Sequence, residues 1–108
     1  MDIKDTLNRA ADALQKDRIP FALIGGFALA AHGVVRATVD IDLLVDGNQK
    51  SRVKENLQDV GFKIGFESPE VLHLSGPGQL DILFATREPT QDMLRRAKKL
   101  NGFPVPVV

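Results

Sequence analysis

Cysteine is absent from this 108-residue chain, which excludes disulfides and thiolate metal sites and leaves carboxylates and histidines as the only strong ligands. A metal bound here is expected to be a hard one, held by oxygen. Net charge is absent as well, because fourteen Lys and Arg balance fourteen Asp and Glu. No global field draws the chain to nucleic acid, so any such contact has to be local. Long hydrophobic runs are missing too: the apolar stretch from Phe21 to Ala31 is too short to span a bilayer, and the N-terminal segment lacks the pattern of a secretory signal. A cytoplasmic protein without membrane contact is expected. Repeats, low-complexity tracts and linkers are also lacking. With 44% hydrophobic and 26% charged residues the composition is that of a globular protein, and the length suits a single domain over residues 1–108.

Along the chain, Leu7, Ala10, Ala11 and Leu14 recur at helical spacing from Ile3, and the pattern ends at Asp17-Arg18-Ile19-Pro20, where proline disfavours helix in the residue before it. Phe21 to Ile24 then reads as a short buried strand, Gly25-Gly26 as a turn, and Phe27 to Gly33 as a short helix closed by glycine. Thr38 to Val45 is the clearest strand, with Asp40, Asp42 and Leu44 on one face and Ile41, Leu43 and Val45 on the other. After a turn at Asp46-Gly47-Asn48, Val53, Leu57 and Val60 share a helical face and Gly61 ends the helix. Strands follow at Phe62 to Phe66, Val71 to Leu74 and Leu80 to Ala85, the last two joined as a hairpin through Ser75-Gly76-Pro77-Gly78. A basic helix is expected from about Thr90 to Leu100, with Met93, Leu94, Ala97 and Leu100 inward and Arg95, Arg96, Lys98 and Lys99 outward. The tail from Phe103 to Val108 reads as extended. These elements predict an α/β (α+β) domain, a small mixed β-sheet packed with helices.

The chemistry concentrates in three places. Residues two apart on a strand lie on the same face, about 6.6 Å apart at Cα, so Asp40 and Asp42 can converge on one metal or flank two. Asp81 interrupts another apolar strand, Leu80-Asp81-Ile82-Leu83, and a mixed sheet can set it beside that pair. Three such carboxylates suit a pair of Mg²⁺ ions, or Mn²⁺ in their stead, about 3.5–4 Å apart and in place to stabilise both oxygens of an in-line phosphoryl displacement. Gly25 and Gly26 open a helix N-terminus to which a phosphate can come close, attracted by free amides and the helix dipole. Arg36 can add a charge-assisted contact to phosphate, and the Thr38 hydroxyl can orient Asp40 or touch the substrate. The joint pattern points to a site for an NTP and its metals. Taken singly, a Gly-Gly turn, an acid-x-acid strand or a lone acid has a structural explanation. His32 is read as a packing or capping residue at a helix end and His73 as a strand residue without catalytic duty. The basic cluster Arg95, Arg96, Lys98 and Lys99 is read as a solvated helix face, with contact to a nucleic-acid backbone as the alternative.

Ile24-Gly25-Gly26, Arg36-x-Thr38-x-Asp40-x-Asp42 and Leu80-Asp81-Ile82-Leu83 together resemble the nucleotidyltransferase superfamily that includes DNA polymerase beta. Within it the pattern is most similar to small prokaryotic proteins of the AbiEii toxin type. The resemblance implies an NTP donor, Mg²⁺ held by Asp40, Asp42 and Asp81, and transfer of NMP to a hydroxyl of RNA, protein or a small molecule, in a toxin–antitoxin or abortive-infection setting. Relatives of this kind continue into a helical region that the chain is expected to lack, so a protein partner or a homo-oligomer is a further expectation. The extended Pro-Val tail offers a strand that could join another chain, and the alternative reading is a noncatalytic, antitoxin-like binding module.

Overall fold

A computed structural model of the chain describes residues 3–24, 41–88, 90–99 and 106–107. Helix α1 (Ile3–Lys16) turns Leu7, Ala10, Ala11 and Leu14 into the core, at the spacing expected from the sequence. Its end is built differently from the expectation. Arg18 adopts a left-handed backbone with φ of 56°, its N–H donates to Gln15 O at 3.0 Å, and the Ile19 N–H reaches back to Leu14 O at 3.0 Å. This is a Schellman closure, with the apolar pair Leu14 and Ile19 buried beneath it. The left-handed turn at Arg18 therefore reverses the chain two residues before Pro20 is reached.

Strands β1 (Phe21–Ile24) and β2 (Ile41–Asp46) pair antiparallel. Asp46 accepts a hydrogen bond from the Asn48 N–H at 3.0 Å and so starts the 3₁₀ turn Gly47–Gln49, which leads into α2 (Lys50–Asp59). Gly61, with φ of 104°, closes α2 by the same pair of backward hydrogen bonds that closes α1, from Gly61 to Gln58 and from Phe62 to Leu57. Val53 and Leu57 are buried on the inner side. Strands β3 (Lys63–Glu67), β4 (Val71–Ser75) and β5 (Leu80–Ala85) form an antiparallel meander, with the β4–β5 hairpin where the glycines and Pro77 place it.

Two expectations fail at the C-terminal end. Helix α3 spans only Thr90–Arg95, Met93 is 38% exposed rather than inward, and Lys98–Lys99 form a strand, β6. The backbone of Lys98 and Lys99 pairs with β7 (Pro106–Val107), a tertiary demand that overrides the helical periodicity. The tail does supply a strand, but to its own sheet: Val107 lies opposite Leu23 in a parallel pairing with β1 and is buried in the core. The expectation that it waits for another chain is thereby corrected.

Among the described residues the sheet has seven strands in the order β3-β4-β5-β2-β1-β7-β6. Ile41, Leu43 and Val45 of β2, Leu80, Ile82 and Phe84 of β5, and Leu72 and Leu74 of β4 face α1 and α2 in one apolar core. Leu43 sits directly opposite Ile82 in the parallel β2–β5 ladder and both are fully buried, so truncating either to alanine is expected to cost about 2–5 kcal/mol. That burial also fixes the register, since a slip of one residue would turn every apolar side chain of β2 to the opposite face. The face away from the core is set by the same lock.

A candidate active site across four strands

On that second face the alternation presents Asp42 from β2 and Asp81 from β5. The register places them directly opposite one another, with Asp42 paired to Asp81 between Ile41–Leu80 and Leu43–Ile82. The row continues on both sides: Asp42 lies opposite Ile24 of β1, Asp81 opposite His73 of β4, and His73 opposite Phe66 of β3. Adjacent strands are about 4.8 Å apart, so the two carboxylates share one small patch. Like charges directly opposite on a sheet repel, and a site that gathers them is suited to a cation.

Asp81 is half-buried, with 28% of its side chain exposed, and its Oδ1 is hydrogen-bonded to His73 Nδ1. The Phe66 ring packs on the imidazole, with centroids 5.5 Å apart and planes tilted by 40°. Asp42 is also half-buried and has an interaction partner of its own. The next row along the same face, Val71, Leu83 and Leu44, lines an open cavity of about 370 Å³ whose wall also carries Glu70, Arg87 and Thr90. An apolar recess thus borders the carboxylates.

Of the residues singled out from sequence, Asp42 and Asp81 are brought together. Gly25, Gly26, His32, Arg36, Thr38 and Asp40 lie outside the described residues. Among the described residues no group of three or more His, Cys, Asp or Glu is arranged to hold a metal. The donor chemistry of the pair nonetheless fits Mg²⁺ or Mn²⁺, hard cations that take carboxylate oxygens. The basic residues of α2 are engaged within the fold. Lys50 Nζ donates to Ser68 O at 2.8 Å, Arg52 to Asp17 O at 2.6 Å, and Lys54 to Glu67 at 2.9 Å. The contact of His73 with Asp81 is legible in the hairpin, since the two stand at equal distances from the turn at Pro77.

Residues 7–72, more than half of the chain, match the family described as "Nucleotidyl transferase AbiEii toxin, Type IV TA system", and the chain belongs to that nucleotidyltransferase family. The match includes Asp42 and ends before Asp81. No curated protein matches the chain.

Among solved structures it is similar to the lincosamide antibiotic adenylyltransferase LnuA with lincomycin bound. The two are 27% identical over 78% of this chain and 56% of that one, with a TM-score of 0.66. It shares its fold with the antibiotic-resistance factor ANT(2'')-Ia in solution, at 23% identity over 79% of this chain and 49% of that one, with a TM-score of 0.66. The same fold recurs in a Thermotoga maritima protein assigned as a nucleotidyltransferase, at 20% identity over 96% and 75% of the two chains, with a TM-score of 0.69. The chain spans about half the length of LnuA and of ANT(2'')-Ia. No helix among the described residues is long and apolar enough to cross a membrane.

Proposed function

We propose that the chain carries the metal and nucleotide site of a nucleotidyltransferase that moves NMP from an NTP to a hydroxyl acceptor. The observation that carries this reading is the direct opposition of Asp42 and Asp81 on the face of β2 and β5 turned away from the core cluster. Asp42 and Asp81 would hold the divalent ion together with Asp40, and Gly25, Gly26, Arg36 and Thr38 would receive the triphosphate. Bound Mg²⁺ or Mn²⁺ supplies neutralisation of the triphosphate charge and of the charge that develops during in-line displacement. In that reaction the acceptor oxygen forms a bond to the α-phosphorus, the bond to the bridging oxygen of the β-phosphate breaks, and pyrophosphate leaves. The hydroxyl proton is accepted at the Asp81 carboxylate. The cavity beside Leu44, Val71 and Leu83 gives an apolar part of a substrate room next to the reacting atoms.

The acceptor is an RNA, a protein or a small molecule, and the family description supports a toxin–antitoxin setting. Incubation of the chain with each NTP labelled at the α-phosphate, Mg²⁺, and RNA or protein extract tests the activity. Label is expected in a product made by the wild-type chain and not by folded Asp42→Asn. Equal labelling by that variant would overturn the assignment.

A further inference from the structure

We propose that His73 is a positioning residue for Asp81: its imidazole holds the carboxylate in the orientation that a divalent cation shared with Asp42 requires, and Phe66 holds the imidazole. This inference rests on the reading of Asp42 and Asp81 as cation ligands and adds to it a supporting chain of two side chains. Three observations converge on it. Phe66, His73, Asp81 and Asp42 occupy one continuous row across β3, β4, β5 and β2, each directly opposite the next. Within the row, His73 Nδ1 is bonded to Asp81 Oδ1, which leaves the second carboxylate oxygen for another partner. Phe66 is 55% exposed, lies outside the core cluster, and has its ring on the imidazole.

The chemistry of the bond follows from the donor inventory. An ionised carboxylate only accepts, so Nδ1 carries the proton, as it does in the cationic ring and in one neutral tautomer. The bond therefore does not depend on the charge of the imidazole. A carboxylate on a strand otherwise rotates freely about its last torsion, and a ligand held in one rotamer loses less freedom when a metal binds. Ligating carboxylates are commonly fixed in this way by an outer hydrogen-bond partner. With Nδ1 bonded to Asp81, the positioning role uses one side of the ring and predicts that a donor at that place suffices.

The test is titration of Mn²⁺ alone into the full chain, with free Mn²⁺ read by electron paramagnetic resonance and folding checked by circular dichroism. His73→Ala is expected to weaken Mn²⁺ binding roughly tenfold, whereas His73→Asn, whose amide N–H stands where Nδ1–H stood, is expected to stay within about threefold of wild type. Should His73→Ala fail to fold, His73→Phe keeps a ring against Phe66, removes the donor, and is expected to show the same loss. Wild-type affinity in the donor-less variants would overturn the proposal. So would an Asn variant as weak as the Ala variant, which would mark His73 as a direct ligand through Nε2. Asp81→Asn separates the two levels. If it loses Mn²⁺ while His73→Ala does not, only the positioning role falls; if it binds as wild type does, or if the wild type binds no Mn²⁺, the cation reading of the pair falls and takes the positioning role with it.

Discussion

Asp81 stands directly beside Asp42 across the parallel β2–β5 ladder, the two carboxylates held there by the burial of Leu43 and Ile82 next to them. A native state that opposes two acids gains from any cation that binds between them, because binding only the folded chain shifts the folding equilibrium toward it. Mg²⁺ with NTP at about a hundred times the dissociation constant is expected to stabilise the wild-type fold by about 2.7 kcal/mol, seen as a rise in the thermal midpoint. Asp81→Asn is expected to flatten that response. An unchanged rise in the variant would place the ligand elsewhere.

Helices α1 and α2 end in the same hydrogen-bonded closure, α2 on Gly61 and α1 on Arg18, both left-handed. A side chain in that conformation costs about 1–2 kcal/mol, and glycine avoids the cost. Arg18→Gly is therefore expected to stabilise the fold by up to about 1 kcal/mol, less the gain in unfolded-chain entropy, and Gly61→Ala to destabilise it by about 1 kcal/mol. Urea unfolding of the two variants checks both signs.

Asn56 ties α2 to the end of α1. Its Nδ2 donates at 2.7 Å to Ala13 O and at 2.7 Å to Asp17 Oδ2, while its Oδ1 is buried with no hydrogen-bond partner among the described residues. Loss of the donor in Asn56→Ala is expected to cost about 1–3 kcal/mol. Asn56→Asp is expected to cost more, because it sets a second carboxylate against Asp17 and a carbonyl. Equal stability of the two variants would contradict this account of the contact.

Glu67 titrates below its ordinary value of 4.5, chiefly because Lys54 donates a hydrogen bond to it, with the charges of Lys54 and Lys50 adding to the effect. A lowered folded-state value means that the ionised form stabilises the fold above the unfolded value and that this contribution fades as the pH falls through the folded one. The stability difference between wild type and Glu67→Gln is expected to be small, constant at neutral pH, and gone in strong acid. A difference that grows as the pH falls would reverse the sign of the coupling.

Much of this arrangement was legible in the sequence because strands announce their faces. Ile41, Leu43 and Val45 alternate with Asp42 and Leu44, and Leu80, Ile82 and Phe84 alternate with Asp81, so the faces of β2 and β5 follow from a period of two. Their adjacency was not fixed by that period, since the parallel pairing joins segments separated by a helix and a hairpin. The helix expected from Thr90 to Leu100 failed for a related reason: Lys98–Lys99 pair with nearby β7, and it is the distant pairing of β7 with β1, Val107 opposite Leu23, that leaves no local mark. His73 was passed over because a single histidine on an exposed strand face carries no signal until its hairpin partner is counted. The proposed roles of Gly25, Gly26, Arg36, Thr38 and Asp40 rest on the sequence pattern.

Membership of Asp42 in a metal-dependent nucleotide site is read by calorimetric titration of the four NTPs with and without Mg²⁺. Heat of binding is expected for the wild-type chain only with Mg²⁺, for at least one NTP, and is expected to vanish in a folded Asp42→Asn variant. Binding that is indifferent to Mg²⁺ or to Asp42, or no binding by a folded wild-type chain, would contradict it.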